Sequence, residues 1–206
     1  MAKPAWASVS PSSGSGNGTV DVSATAHTGR TNRSGNVTFS ASGCSNEVVA
    51  VTQLATPEFV IIDNKSVSKN GETFTVTGKS NAAELTFTLG SQSGGTAAQN
   101  TLTLSLPASY TAGGLTTNNG AAISGDPGAT TEYSFSISFT VGANAGVTDL
   151  YRQLIVTTDN SVTATALITQ AAADPILSVS PSTLTLNADG DADTVTVTSN
   201  TNWTVS

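Results

Sequence analysis

Charge is what this sequence has least of. Charged residues make up 10% of the chain, where soluble domains carry ~25%. Only seven are Lys or Arg, against fourteen Asp or Glu, so the net charge is −7. No basic patch exists to neutralise phosphates, which excludes nucleic acid as a partner. An anionic surface equally disfavours docking on anionic lipid, so no membrane partner is expected. There is one cysteine, Cys44, so no disulfide can form within a chain. There is one histidine, His27, which leaves little for acid–base chemistry. No apolar run is long enough for a membrane helix. The opening Met1-Ala-Lys-Pro-Ala-Trp6 has no apolar leader core. The expectation is a protein made and left in the cytoplasm, or leaving by a route other than secretion. Sequons such as Asn36-Val-Thr are then accidents of a Ser/Thr-rich chain. Helical periodicity is also missing.

What is present is alternation. Apolar residues are 37% of the chain and recur with period two. Val20, Val22 and Ala24 point one way, and Val37 with Phe39, then Val49 with Val51, continue the pattern. The centre offers Phe59 to Ile62, Phe74 with Val76, Leu85 with Phe87, and Leu102, Leu104 and Leu106. Tyr133 to Phe139, Leu154 with Val156, and Val162 to Ile168 follow. Leu184 with Leu186, Val195 with Val197, and Trp203 with Val205 close the series. Turn signals punctuate it at Asn17-Gly18, Asn70-Gly71, Asn119-Gly120 and Asp189-Gly190. Short strands at such intervals predict an all-β protein of the sandwich type.

Two internal matches order these strands. Arg33-Ser-Gly-Asn-Val-Thr, leading to Val48-Val-Ala-Val-Thr-Gln-Leu-Ala55, matches Arg152-Gln-Leu-Ile-Val-Thr, leading to Ala164-Thr-Ala-Leu-Ile-Thr-Gln-Ala171. Phe74-Thr-Val-Thr-Gly-Lys-Ser-Asn81 matches Val195-Thr-Val-Thr-Ser-Asn-Thr-Asn202. Residues 1–55 therefore read as the back half of a sandwich and 175–206 as the front half, around a complete copy at 58–171. One of the two predicted sandwiches is thus split between the ends of the sequence. The extra length of the central copy falls between Gly90 and Thr131. Ser91–Gln99 and Gly113–Gly128 read as surface loops around a strand at 101–106.

Read front half first, the outer segments resemble the BACON family, an immunoglobulin-like sandwich of gut Bacteroidales and their phages. The residues that carry the resemblance are Ile176-Leu-Ser-Val-Ser-Pro-Ser-Thr-Leu184, Val195 to Trp203, Trp6-Ala-Ser-Val-Ser-Pro-Ser-Ser-Gly-Ser-Gly16 and Val51-Thr-Gln53. The centre lacks both tryptophans and resembles the family more loosely. The family name records a carbohydrate or mucin affinity, and other members look like plain spacers. With no secretion signal, the resemblance implies a phage virion component.

Trp6 and Trp203 are expected in the core where the halves meet, with Val195, Val197, Val49 and Val51. Stacking of the tryptophans on sugar rings is the alternative. Tyr133 is in phase with Phe135 and is expected in the core, whereas Tyr110, after Pro107, is the best exposed candidate for glycan contact. His27 reads as a turn residue and Cys44 as a free thiol near a hairpin turn. No nucleophile elbow accompanies the serines. Asp189, Asp191 and Asp193 lack the spacing of a calcium loop and read as an acidic turn. No catalytic, cofactor or metal site is predicted. The expected function is structural: a capsid-decorating or head-auxiliary protein whose partners are copies of itself or a capsid lattice. Glycan-mediated adhesion is the alternative. The split sandwich could close within one chain or between two.

Overall fold

The computed structural model describes residues 2–90 and 101–206. Among them every regular element is a strand. The protein is all-β, as its alternation predicts. The strands are β1 (Ala7–Ser10), β2 (Asp21–Ala24), β3 (Arg33–Phe39), β4 (Glu47–Gln53), β5 (Val60–Ile62), β6 (Lys65–Val67), β7 (Glu72–Ser80) and β8 (Leu85–Leu89). They continue with β9 (Ser109–Ala112), β10 (Leu115–Asn118), β11 (Tyr133–Val141), β12 (Leu150–Thr158), β13 (Thr163–Gln170), β14 (Leu177–Ser180) and β15 (Thr196–Ser199).

Strands β5 to β13 form a two-sheet sandwich. One sheet has the order β10-β9-β11-β7-β5 and the other β6-β13-β12-β8. The longest ladder pairs β11 with β7 antiparallel over nine positions, from Tyr133 opposite Ser80 to Val141 opposite Glu72. Phe74, Val76, Phe135, Ile137 and Phe139 face inward from it, across from Leu85, Phe87, Leu154, Val156 and Ile168 of the other sheet. The aromatic rings lock together: Phe87 lies edge-on to Tyr110 at 4.8 Å and to Phe135 at 5.5 Å, and Phe74 stacks on Phe139 at 5.6 Å. Gly78 is required by close approach, since a Cβ there would sit 2.3 Å from the Ile61 carbonyl oxygen and from Phe135.

The outer segments are thinner. Residues before 57 form two antiparallel pairs, β1-β2 and β3-β4, and residues after 173 form one, β14-β15. Each is two-stranded, and an isolated two-stranded sheet is marginal in water.

Several expectations fail here. Residues 101–106 form no strand. Leu102 donates one backbone hydrogen bond to Tyr151 and buries itself with Leu104, but β8 already occupies the edge of β12 from Leu154 to Thr158. Gly113–Gly128 is not simply loop, because Gly113-Gly114 turns β9 into β10 and Thr117 and Ile123 are buried. The stretch at 91–99 lies within the residues outside the description. Leu184–Leu186 and Trp203–Val205 alternate like strands but belong to none.

Candidate functional site

Hydrogen bonds give the internal repeat its true register. The Ala55 amide donates to Asn32 Oδ1, and the Ala172 amide to Asp149 Oδ1. Thr56 donates to the Gly29 carbonyl, and Ala173 to the Gly146 carbonyl. Gln53 Nε2 donates to the Thr25 carbonyl, and Gln170 Nε2 to the Gly142 carbonyl. Every pair is separated by 117 positions, as from Ala55 to Ala172. His27 fits the same frame. Its Nε2 donates to the Thr31 carbonyl at 2.7 Å, where Asn144 Nδ2 donates to the Thr148 carbonyl. The single histidine is a turn residue, as its sequence context predicts.

The front half repeats in the same way. Asn81 accepts from the Phe59 amide and donates to the Pro57 carbonyl, while Asn200 accepts from the Ile176 amide and donates to the Asp174 carbonyl. Ser80 Oγ donates to the Phe59 carbonyl and Ser199 Oγ to the Ile176 carbonyl. The structural partner of Asn81 is therefore Asn200, not Asn202. Likewise Gln53 pairs opposite Arg33 and Gln170 opposite Leu150, so Arg33 corresponds to Leu150, not Arg152. The matches starting at Arg33 and at Phe74 are two residues out, and the ending at Ala55 is one out, since Ala55 corresponds to Ala172 and not Ala171. A two-residue slip keeps every side chain on its face, so alternation alone cannot expose it.

With the register fixed, burial can be compared position by position. Val76 is 1% exposed and its counterpart Val195 is 42% exposed. Val60 is buried, whereas its counterpart Leu177 is 64% exposed. Ala166, Ile168 and Phe139 are buried, whereas Val49 and Val22 are exposed and Val51 is half-buried. Of the six residues expected to form a shared core, none is buried within one chain. Trp203 is half-exposed, Val49 and Val195 are exposed, and Trp6, Val51 and Val197 are half-buried. The reason is geometric: among the described residues no ladder joins β14 or β15 to β1 through β4. Each segment has only its own strand pairs for cover, two in the N-terminal segment and one in the C-terminal. Val37 and Ala7 alone are sealed in the N-terminal segment.

The outer segments sit at opposite poles of the central sandwich. At the Ser80 end of β7, Arg30 makes a bidentate pair with Asp126 at 2.7 and 2.8 Å. The same guanidinium donates to the Asn81 carbonyl, and Glu58 lies 4.0 Å from its Nε. At the Glu72 end, Lys69 pairs with Asp174 and accepts the Asn144 amide on its carbonyl. These anchors leave no trace in local sequence pattern, because Arg30 and Asp126 are 96 positions apart.

Two aromatic candidates change standing. Tyr110 is not an exposed glycan contact: it is 3% exposed, because β9 joins the sheet and turns the ring onto Phe87. Burial pushes its phenol up to about 12, partly offset by the nearby Leu85 backbone. Tyr133 is in the core as expected, donating to the Ala82 carbonyl, and burial likewise raises its pKa. Arg33 covers one face of Trp6, 4.9 Å from the ring centroid, and its guanidinium also binds Gln53 and the Thr25 carbonyl. That leaves Trp203 as the exposed large aromatic among the described residues. Cys44 is a free, exposed thiol on the turn after β3. Asp189, Asp191 and Asp193 gather no metal-binding group among the described residues.

No curated protein matches the chain. Residues 1–54 match the model of the BACON family, described as "Putative binding domain, N-terminal". The match lies on the N-terminal outer segment, which carries the open face.

Proposed function

We propose that this chain is a non-enzymatic structural protein that works by completing its open half-sandwiches, and that it serves in a phage virion as a capsid-decorating or head-auxiliary component. The observation that carries the first part is the contrast in burial between Val76 and its counterpart Val195. The equivalent position is sealed inside β7 in the central copy and 42% exposed just before β15 in the outer one. Apolar faces of this kind mark interaction surfaces. The match of residues 1–54 to a binding-domain family supports the same view. The virion setting rests on the resemblance of the outer segments and on the scarcity of chemically active side chains. Mass spectrometry of purified particles tests it, with the protein expected at structural copy number. Particles that lack the protein sink the virion assignment and leave the half-sandwich reading standing.

A second reading is favoured by Trp203, an aromatic face 50% exposed on a small β segment. It is a carbohydrate-binding module for mucin-type glycans. In that case Trp203→Ala abolishes glycan-array signal without changing the association state. Silence of the unmodified protein on such an array discards it.

A further inference from the structure

We infer that the partner of each open half is a second copy of this chain, joined head to tail, with residues 174–206 of one copy closing residues 2–56 of the next. The inference rests on the half-sandwich reading above and names its occupant.

The central copy supplies the template. There the front-half strands β5, β6, β7 and β8 meet the back-half strands β11, β12 and β13 at three edges. Strand β7 pairs with β11, β8 with β12, and β6 runs parallel to β13. In the outer copy, β15 stands for β7 and β14 for β5, and both are present because each is the other's partner. The counterparts of β6 and β8 are Leu184–Leu186 and Trp203–Val205. Leu186 lies three residues before the Asp189-Gly190 turn, as Val67 lies three before Asn70-Gly71. Trp203 follows Ser199-Asn200 as Leu85 follows Ser80-Asn81, with one residue fewer between. These are the alternating segments that form no strand in a single chain. Their ladder partners would be β4 and β3, which lie in the other segment. The missing strands and the exposed apolar residues thus have one cause, the absence of the complementary half.

Position decides whose half it is. The N-terminal segment is held at the Ser80 end of β7 by Arg30, and the C-terminal segment leaves from the Glu72 end by Lys69 and Asp174. Nine residues of strand separate those ends, about 27 Å. Within one chain, closure would break both anchors and fold both segments back along the sandwich. Between chains, the two halves meet end to end with the anchors intact. The contact is heterologous, so it forms a ring or an open filament.

The template fixes the register. Val76 lies opposite Ile137, and the counterparts are Val195 and Val20. In a Cys44→Ser background, Val20→Cys and Val195→Cys are made on separate chains of different mass, mixed and oxidised. The expected result is a disulfide-linked dimer of the two different chains, absent when Ser34→Cys replaces Val20→Cys. Both cysteines on one chain give a ladder. If that chain instead closes on itself and stays monomeric, the second-copy inference is overturned and the half-sandwich reading survives. No cross-link in either format from folded chains ends both. Should the variants unfold, sedimentation of the chain carrying only Trp6→Phe, with Trp203 emission as the reporter, decides. Concentration-dependent oligomers with blue-shifted emission support the inference. A monomer with blue-shifted emission overturns it alone, and a monomer with solvent-exposed emission overturns both.

Discussion

The central sandwich and the outer segments share corresponding strands, the same turn hydrogen bonds and nearly the same alternation, yet one has a core and the other lacks two of the strands that would close it. Strand β7 lies between β11 and β5, whereas β15 has β14 on one side and, among the described residues, no strand on the other. The difference teaches that alternation prepares a face but does not bury it. Fully burying a Val, Leu or Ile side chain yields about 1.5–3 kcal/mol. Ile176, Leu177, Val179 and Val195 forgo about half of that in a single chain. A hairpin with one apolar face needs a second layer, and only the central copy carries both layers in one stretch of sequence.

The largest expected effect comes from removing an aromatic ring from the complete core. Phe87→Ala opens space beside Tyr110 and Phe135, and chemical denaturation of the monomer should register a loss of about 3–5 kcal/mol. Leu177→Ala, at 64% exposure, should shift the same transition by less than about 0.5 kcal/mol. Equal costs would erase the contrast between the two regions.

Alkaline pH should strike only the centre. All three tyrosines, Tyr110, Tyr133 and Tyr151, lie within it. The buried phenols of Tyr110 and Tyr133 hold their protons above the ordinary value of 10.0, Tyr110 up to about 12. Below pH ~10 both folded and unfolded chains keep these protons, so stability is unaffected. Above it the unfolded chain ionises first, and stability falls as pH rises toward 12. Raising Tyr110 from 10.0 to about 12 corresponds to a loss on the order of 2 kcal/mol. Ultraviolet titration of the phenols alongside unfolding curves checks this. Early titration of all three tyrosines in the folded protein would contradict the buried placement.

The smallest effect sharpens the comparison most. Gln170 is buried and donates to the carbonyls of Ser68 and Gly142, whereas Gln53 does the equivalent work half-buried, binding Thr25 and Arg33. Gln170→Ala leaves two carbonyls short of a donor and should cost about 1–3 kcal/mol. Gln53→Ala lets water replace the amide and should cost about 0.5–1 kcal/mol in the isolated chain. If assembly seals that site, the cost of Gln53→Ala should rise toward that of Gln170→Ala at high protein concentration.

Much of the fold is legible in the sequence because period two is a direct signature of a half-buried strand. Val20 to Ala24, Phe74 to Ser80 and Tyr133 to Phe139 show it plainly. Legibility stops where a second residue, distant in sequence, decides the outcome. Leu184–Leu186 and Trp203–Val205 carry strand patterns, but a strand is a paired object and their pairs are elsewhere. Strands β9 and β10 are hidden by Gly, Thr and Asn, which read as loop although the glycine pair only makes their turn. Tyr110 looks exposed beside Pro107, and nothing local says that Phe87 awaits it. The slip of two at Arg33 and at Phe74 is invisible for the reason that makes strands readable at all. Arg30 could be noticed only as one of seven cations in a charge-poor chain.

The long ladder between β7 and β11 runs from one pole to the other, and the flanking segments are tied in at those poles. A pull on the two ends of the central sandwich is thus directed along its strands. The nine paired positions of that ladder would then slide against one another together, rather than peel open one at a time. A head-to-tail assembly places every sandwich, whole or composite, in that same orientation. Its composite sandwiches lack a covalent link between front and back, so under tension they would part first, leaving each central sandwich folded.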